Sequence, residues 1–162
     1  MHIHLTDKEA RYAWEVRCDV AAESSGAVRR DYGFDLPIRD QFEYLGYLGQ
    51  LAVLKAFGVP GQLRSMQGPG NPDAVVNGMR IEVKSSRRLG AKLILDAKMH
   101  RCDVFVLVDG VDPDRLGQVV RLRGWLPRSE ATDPQYLVEV PWSASNRYVI
   151  PGHCLRPMET LI

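Results

Sequence analysis

The sequence DAVVNGMRIEVKSS, residues 73–86, predicts a β-hairpin whose two-residue turn is Asn77-Gly78. An Asn-Gly pair between two runs rich in β-branched residues is the strongest local signal for a type I′ turn. A turn of this length fixes the register of the two strands that it joins. The predicted cross-strand pairs are Val76 with Met79, Val75 with Arg80, Ala74 with Ile81, and Asp73 with Glu82.

Side chains alternate between the two faces of a strand, so the register also assigns each residue to a face. One face is apolar and consists of Ala74, Val76, Ile81 and Val83; the other carries Asp73, Val75, Arg80, Glu82 and Lys84. Opposed residues have Cβ atoms about 4.5–5.5 Å apart, and like charges at that separation are destabilising. A cation between the two carboxylates would remove this repulsion. Mg²⁺ is suited to such a place because it takes one or two carboxylates and keeps several waters.

Pro72-Asp73, followed by Glu82-Val83-Lys84 on the next strand, resembles the signature of the PD-(D/E)XK nuclease superfamily. The resemblance implies an α/β, restriction-endonuclease-like fold, with an αβββαβ core whose mixed central sheet is flanked by helices, plus extra C-terminal strands. It also implies catalytic roles for Asp73, Glu82 and Lys84. Asp73, Glu82 and the backbone carbonyl of Val83 would bind Mg²⁺ or Mn²⁺.

The function that the resemblance implies is Mg²⁺-dependent hydrolysis of phosphodiester bonds, with DNA expected ahead of RNA. The alternative is a catalytically inactive module of the same fold that binds nucleic acid or a protein partner. Related sequences tend to carry Gly-x-x-Gly-Glu in the helix before the hairpin, whereas this chain ends the same string with Gln50. A glutamine offers a metal only a neutral oxygen. Glu43 lies seven residues earlier on nearly the same helix face, so the helix contribution is either Gln50 or Glu43.

The charge distribution favours a nucleic-acid partner near the hairpin. Residues 80–101 hold seven basic side chains against two acidic ones, whereas residues 1–50 hold six basic against nine acidic ones. Basic side chains bind phosphates, and the candidate contacts are Arg80, Arg87, Arg88 and Lys92.

The length of 162 residues and the composition, 45% hydrophobic and 25% charged, are typical of one soluble domain. We expect a single nuclease-like domain over 1–162, with its core over 38–109, an N-terminal helical segment over 7–30, and C-terminal strands and a docking tail over 118–162. The tail, with Gly124-Trp125 and YVIPGHCLRPMETL, resembles those of small nuclease-like proteins from phage and mobile elements. No apolar run reaches the length of a membrane span, and the start, MHIHLTDKEA, does not resemble a signal peptide. We therefore expect a cytoplasmic protein without a membrane partner, and a homodimer is left open.

Secondary-structure signals place the remaining elements. Thr6-x-x-Glu9 is a capping box that starts a helix near Asp7, which should end at about Ser24. A second helix should run from Pro37 to Phe57, with something packed closely against Gly46 and Gly49. Strands are expected over 62–67, 93–95, 103–108, 119–126, 136–140 and 148–150, with a short helical turn over 96–101 and a frayed amino terminus.

Overall fold

Three helices and eight strands make up the described part of the chain, which in this computed structural model comprises residues 1–25, 38–65, 71–97, 101–139 and 145–162. The helices are α1 (Asp7–Ser25), α2 (Ile38–Ala56) and α3 (Arg128–Ala131). The strands are β1 (His2–Leu5), β2 (Ala74–Val76), β3 (Met79–Ser86), β4 (Leu93–Asp96), β5 (Val104–Asp109), β6 (Gln118–Pro127), β7 (Leu137–Val138) and β8 (Arg147–Ile150). The protein is therefore an α/β protein.

Five of the strands form a central mixed sheet in the order β1-β6-β5-β3-β2. Strands β3 and β5 are parallel, and the other neighbours in this sheet are antiparallel. The remaining strands form a separate antiparallel sheet in the order β4-β8-β7.

Strand β5 is covered on both faces, as its continuous apolar sequence predicts. Val104, Val106 and Val108 belong to the hydrophobic core formed with helices α1 and α2. Phe105 and Leu107 belong to a second core, formed with β4 and β8 of the three-stranded sheet. The central sheet thus has two helices on one face and a smaller sheet on the other.

The capping box at the start of α1 is confirmed. The Glu9 N–H donates to the Thr6 hydroxyl at 3.3 Å, and the Thr6 N–H donates to the Glu9 carboxylate at 2.8 Å. Each side chain therefore satisfies a backbone donor at the helix start, and the helix begins at Asp7 as expected. No helix in the described residues is long and apolar enough to cross a membrane.

Three of the four predicted cross-strand pairs form: Ala74 opposite Ile81, Val75 opposite Arg80 and Val76 opposite Met79. The fourth, Asp73 with Glu82, does not continue the ladder, because β2 begins at Ala74. Asn77 and Gly78 both have positive φ angles, 52° and 79°, as a type I′ turn requires. The apolar face is buried against the helices. This places the hairpin at one edge of the central sheet, with its short strand β2 outermost.

Several expectations are wrong. Residues Pro60–Leu63 form a 3₁₀ turn where a strand was expected over 62–67; residues 66 and 67 lie outside the described ranges. The amino terminus is not frayed but forms β1, which pairs with β6. The strand expected over 93–95, by contrast, is confirmed as β4, which lies in the three-stranded sheet. Of the helical turn expected over 96–101, Asp96 is the last residue of β4, and residues 98–100 are not described.

The C-terminal tail docks against β6, as expected. Trp125 and Arg156 exchange backbone hydrogen bonds of 3.0 and 2.9 Å, and the Trp125 indole N–H donates to the Pro157 carbonyl at 3.1 Å. Met158 is buried in the helix-side core, whereas Ile162 is exposed. Of the strand expected over 136–140, Tyr136 instead closes a 3₁₀ turn and Leu137–Val138 pair with β8, whereas residue 140 lies outside the described ranges.

Candidate active site

Asp73 connects helix α2 to strand β3. One carboxylate oxygen accepts a hydrogen bond from the Gln50 side-chain amide at 2.8 Å, and the other accepts from the Val83 N–H at 2.7 Å. The ladder between β2 and β3 ends at Ala74 and Ile81, so Asp73 does not continue it as a strand residue. Its carboxylate instead occupies the edge of β3 just beyond the end of β2.

The lengths of the two strands create this open edge. Strand β3 has eight residues and β2 has three, so the second half of β3 has no partner on the β2 side within the described residues. The Arg80 carbonyl accepts from the Asp103 N–H, which shows that the backbone groups of Arg80 point toward β5. Backbone groups alternate along a strand, so those of Val83 point the opposite way, toward Asp73. The Val83 carbonyl therefore faces the same edge as the Asp73 carboxylate.

A glycine explains why α2 can bring Gln50 to this edge. A Cβ atom on Gly49 would lie 1.9 Å from the Ser85 hydroxyl oxygen, so any side chain here would hold the helix away from β3. The close packing expected at Gly49 is confirmed, and its partner is the sheet. At Gly46, by contrast, a Cβ atom would meet nothing within 4 Å.

These two glycines give a matched pair of stability predictions. Gly49→Ala should destabilise the protein by about 1–3 kcal/mol, because the added methyl group would displace the Ser85 hydroxyl and lie 3.1 Å from the Ser85 Cβ atom, tighter than an ordinary contact. Gly46→Ala should instead stabilise it by about 0.5–1 kcal/mol, since alanine is the better helix former and the space is open. Urea unfolding of both variants measures the two values. Equal effects of the same sign would contradict the helix–sheet contact described here.

Glu82 and Lys84 lie on β3 beside Asp73. The Lys84 ammonium donates to the Glu82 carboxylate at 2.7 Å, and both side chains are partly buried. Burial raises the pKa of Asp73 to about 6, and the negative charge of Glu82 acts in the same direction; the Val83 N–H and the Lys84 ammonium oppose the shift. The two carboxylates are thus close enough to repel, as the sequence predicts.

Glu43 does not reach this group. Its carboxylate accepts from Arg17 at 3.0 Å and from Arg39 at 3.1 Å, and Arg17 also pairs with Asp40. These contacts connect the start of α2 to α1. Of the two candidate helix contributions, the structure places Gln50 against Asp73 and Glu43 in a separate ion-pair cluster.

Two residues near the site carry no signal in the hairpin motif. Tyr47 is half-buried on α2, and its pKa is raised chiefly by burial, with smaller effects from Glu43 and from the Asp73 carboxylate. It lies three residues before Gln50, so the helical period alone could have found it. Cys102 is buried near Glu82, and burial raises its pKa to about 12. This thiol therefore stays protonated near neutral pH, which makes it a poor nucleophile.

The four candidate phosphate contacts fall into two groups: two form ion pairs with acidic side chains and two do not. Arg80 holds Asp103 through two hydrogen bonds of 3.2 and 2.8 Å, and Arg87 pairs with Asp114. Arg88 and Lys92 are exposed and have no acidic partner among the described residues. They line, together with Lys84, an open groove of about 500 Å³ beside the end of β3.

Comparisons with protein-family models, with curated proteins and with solved structures found no match at the level of significance that identifies a relative.

The donor set can accept a divalent cation, with few charged ligands. No group of three or more His, Cys, Asp or Glu side chains in the described residues is arranged to hold a metal ion. Two carboxylates, Asp73 and Glu82, interact at the open edge of β3, and the Val83 carbonyl points to that edge. Mg²⁺ is commonly bound through one or two carboxylates and keeps several waters, so this set fits it. The Gln50 amide could add a neutral oxygen if it rotated to exchange its nitrogen and oxygen.

A substitution on α2 tests whether Gln50 belongs to the cation site. Gln50→Glu adds a negative charge and removes the donor to Asp73, so the metal-free protein should lose on the order of 1–2 kcal/mol of stability. Affinity for Mn²⁺ or Mg²⁺ should rise about ten-fold, since a third carboxylate strengthens attraction to a cation. Thermal unfolding against metal concentration measures both effects.

Glu43→Gln is the matched control, because Glu43 lies on the same helix but pairs with Arg17 and Arg39. It should leave the metal response unchanged. If Glu43→Gln removed the metal response and Gln50→Glu left it unaltered, the assignment of the helix contribution to Gln50 would be wrong.

Proposed function

We propose that this protein is a Mg²⁺-dependent nuclease that hydrolyses phosphodiester bonds, in DNA ahead of RNA. The observation that carries the proposal is the position of Lys84. This lysine bonds to one carboxylate of an interacting pair and also lines a groove that carries two further exposed cations. Phosphate-binding groups and a cation-binding carboxylate pair are thus adjacent, as hydrolysis of a phosphodiester needs.

The proposal assigns a role to each residue. Asp73 and Glu82, with the Val83 carbonyl, would hold the cation, and the Val83 N–H keeps one Asp73 oxygen oriented at 2.7 Å. The cation, when bound, supplies Lewis-acid chemistry that activates water and polarises a phosphoryl group. Lys84 would orient the attacking water and stabilise negative charge that develops on the phosphoryl oxygens. Arg88 and Lys92 would hold neighbouring phosphates, whereas Arg80 and Arg87 act mainly through their ion pairs.

The proposal extends to the fold and the compartment. The hairpin, the parallel pair β3–β5 and helix α2 packed over β3 are consistent with a divergent restriction-endonuclease-like core. The three cysteines are free thiols, which suits a protein that works in a reducing cytoplasm.

A second candidate function follows from the Gln50–Asp73 hydrogen bond. An amide N–H satisfies an Asp73 oxygen without a metal, and burial favours the protonated form of that carboxyl group. A site stabilised in this way could belong to a module that binds nucleic acid or a protein partner without cutting.

One experiment separates the two functions. The pure protein is incubated with circular single-stranded DNA, linear duplex DNA, branched DNA and RNA, each with Mg²⁺, Mn²⁺ or EDTA. Cleavage that requires the metal supports the nuclease. Binding of one of these substrates without cleavage of any supports the non-cutting module, and cleavage in EDTA contradicts the proposed metal site.

A further inference from the structure

The size, charge and apolar surface of the groove beside Lys84 suit single-stranded nucleic acid better than a duplex. Its volume is about 500 Å³, within the roughly 300–1,000 Å³ of pockets that enclose small-molecule ligands. One or two nucleotides of a single strand have about this size, whereas a duplex can only lie across such an opening.

The charged wall of the groove is formed by Lys84, Arg88 and Lys92, and none of the described residues that line it is acidic. The Ser86 hydroxyl also lines it and accepts from the Arg88 N–H at 3.1 Å. Lys84 is partly neutralised by Glu82, so Arg88 and Lys92 supply most of the available positive charge. Phosphates of a strand are the ligands that this charge favours.

The groove also has an apolar part, formed by two side chains. Leu89 and Ile94 line the same groove, and their exposed fractions are 71% and 46%. An unpaired base presents its apolar face to such side chains, whereas the bases of a duplex are stacked on one another and present only their edges.

A buried carboxylate holds the segment that carries these basic and apolar side chains in place. Asp109 is fully buried at the end of β5; it accepts from the Gly90 N–H at 2.7 Å and from the Arg121 guanidinium through two hydrogen bonds of 2.7 Å. Gly90 lies between Leu89 and Lys92, so this contact fixes the segment that carries the apolar and basic groups. The groove is thus largely formed before a ligand arrives, which lowers the entropic cost of binding.

From the charge, the apolar platform and the size we infer that this groove binds unpaired nucleotides, so that the substrate of the neighbouring carboxylates is single-stranded. The phosphates lie against Arg88 and Lys92, and a base lies against Leu89 and Ile94. The inference depends on the proposed function only in naming the bound strand as substrate; the binding preference can be measured without cleavage.

The test measures binding in EDTA, by fluorescence anisotropy, of labelled oligo(dT), oligo(rU) and a blunt DNA hairpin of equal charge. We expect oligo(dT) to bind about ten-fold tighter than the hairpin. Replacing both Arg88 and Lys92 by Gln should flatten the salt dependence for oligo(dT) by about 1.4 in log–log slope, at about 0.7 for each phosphate contact. Leu89→Ser should weaken oligo(dT) about five-fold and leave the hairpin unchanged.

Lys8→Gln is the control for the loss of positive charge in the Arg88/Lys92 double variant, because Lys8 is exposed on α1, on the other side of the central sheet. It should leave binding of all three ligands unchanged. Equal or tighter binding of the hairpin, or an Arg88/Lys92 double variant no different from Lys8→Gln, would overturn the inference even if the protein proved to be a nuclease. Preference for oligo(dT) without any cleavage would uphold the groove and count against the proposed function. The oligo(rU) arm shows whether the same groove takes RNA.

Discussion

Asp73→Asn should lower the rate of metal-dependent cleavage by on the order of 10³ or more, because it removes one of two charged ligands from the proposed cation site. The substitution keeps the size of the side chain. An amide oxygen can still accept from the Val83 N–H, so the fold should remain intact. The stabilisation of the protein by millimolar Mn²⁺ should disappear with the activity, since a ligand stabilises only the folded state that binds it. Single-turnover cleavage and thermal unfolding with and without metal measure the two effects.

The same variant should be more stable than wild type in the absence of metal at neutral pH. The pKa of Asp73 is about 6 in the folded protein against an ordinary value of 3.8, because burial and the Glu82 charge disfavour the ionised form. The folded state therefore binds more protons than the unfolded state between these values, and the stability of wild type falls as pH rises from about 4 to about 6. Above about pH 7 the penalty is complete, and Asp73→Asn should remove on the order of 1–2 kcal/mol of it, allowing for partial solvation. Urea unfolding in EDTA at pH 5 and pH 7.5 checks the direction.

Asp103→Asn is the matched control. Asp103 also lies beside β3, but its exposed carboxylate binds Arg80, which lowers its pKa to about 2. It should retain both cleavage and the response to Mn²⁺. Asp73→Asn that still cleaves, or Asp103→Asn that does not, would contradict the location of the cation site.

The hairpin and the start of α1 could be predicted because their signals are local. The register follows from two turn residues with positive φ, and the start of α1 follows from the reciprocal hydrogen bonds of Thr6 and Glu9. The polar face of β3 needs no long-range information either, since it follows from the register. These are the parts of the candidate site that the sequence contains.

What the sequence could not supply are the choices between distant partners. The short apolar run Leu93-Ile94-Leu95 indicates a strand but not which sheet it joins, and it pairs with β8, which lies more than fifty residues later. The four basic residues of the predicted phosphate-binding set look equivalent in sequence. Arg80 and Arg87 differ from Arg88 only because the fold brings Asp103 and Asp114 to them. Short sequences at a terminus carry little signal, so β1 was missed although it completes the central sheet.

Lys84→Ala should reduce the turnover number by about 10²–10³, the range observed when one group that stabilises transition-state charge is removed. Metal binding should survive, because the ligands Asp73, Glu82 and Val83 remain. Lys84 and Lys92 line the same groove, but only Lys84 bonds to a carboxylate of the pair. Lys92→Ala should therefore raise the Michaelis constant for a nucleic-acid substrate while leaving the turnover number nearly unchanged. Steady-state kinetics on the two variants separate a role in chemistry from a role in binding phosphate.

A pH series gives Lys84→Ala a readout that loss of a phosphate contact does not share. The Lys84 ammonium neutralises Glu82 at 2.7 Å and also lowers the pKa of Asp73. Without it, both carboxylates attract a cation more strongly once ionised, so Mn²⁺ should bind several-fold tighter at pH 8. The pKa of Asp73 should rise at the same time, and the pH at which Mn²⁺ affinity is half lost should move upward, since protons and metal compete for that carboxylate. Lys92→Ala should leave this midpoint where it is in wild type. Lys84 differs from Lys92 only if its charge acts on the cation site through Glu82 and Asp73. If the pH midpoint of Mn²⁺ affinity stayed unchanged in both variants, and both lost substrate binding equally, Lys84 would be an ordinary phosphate contact.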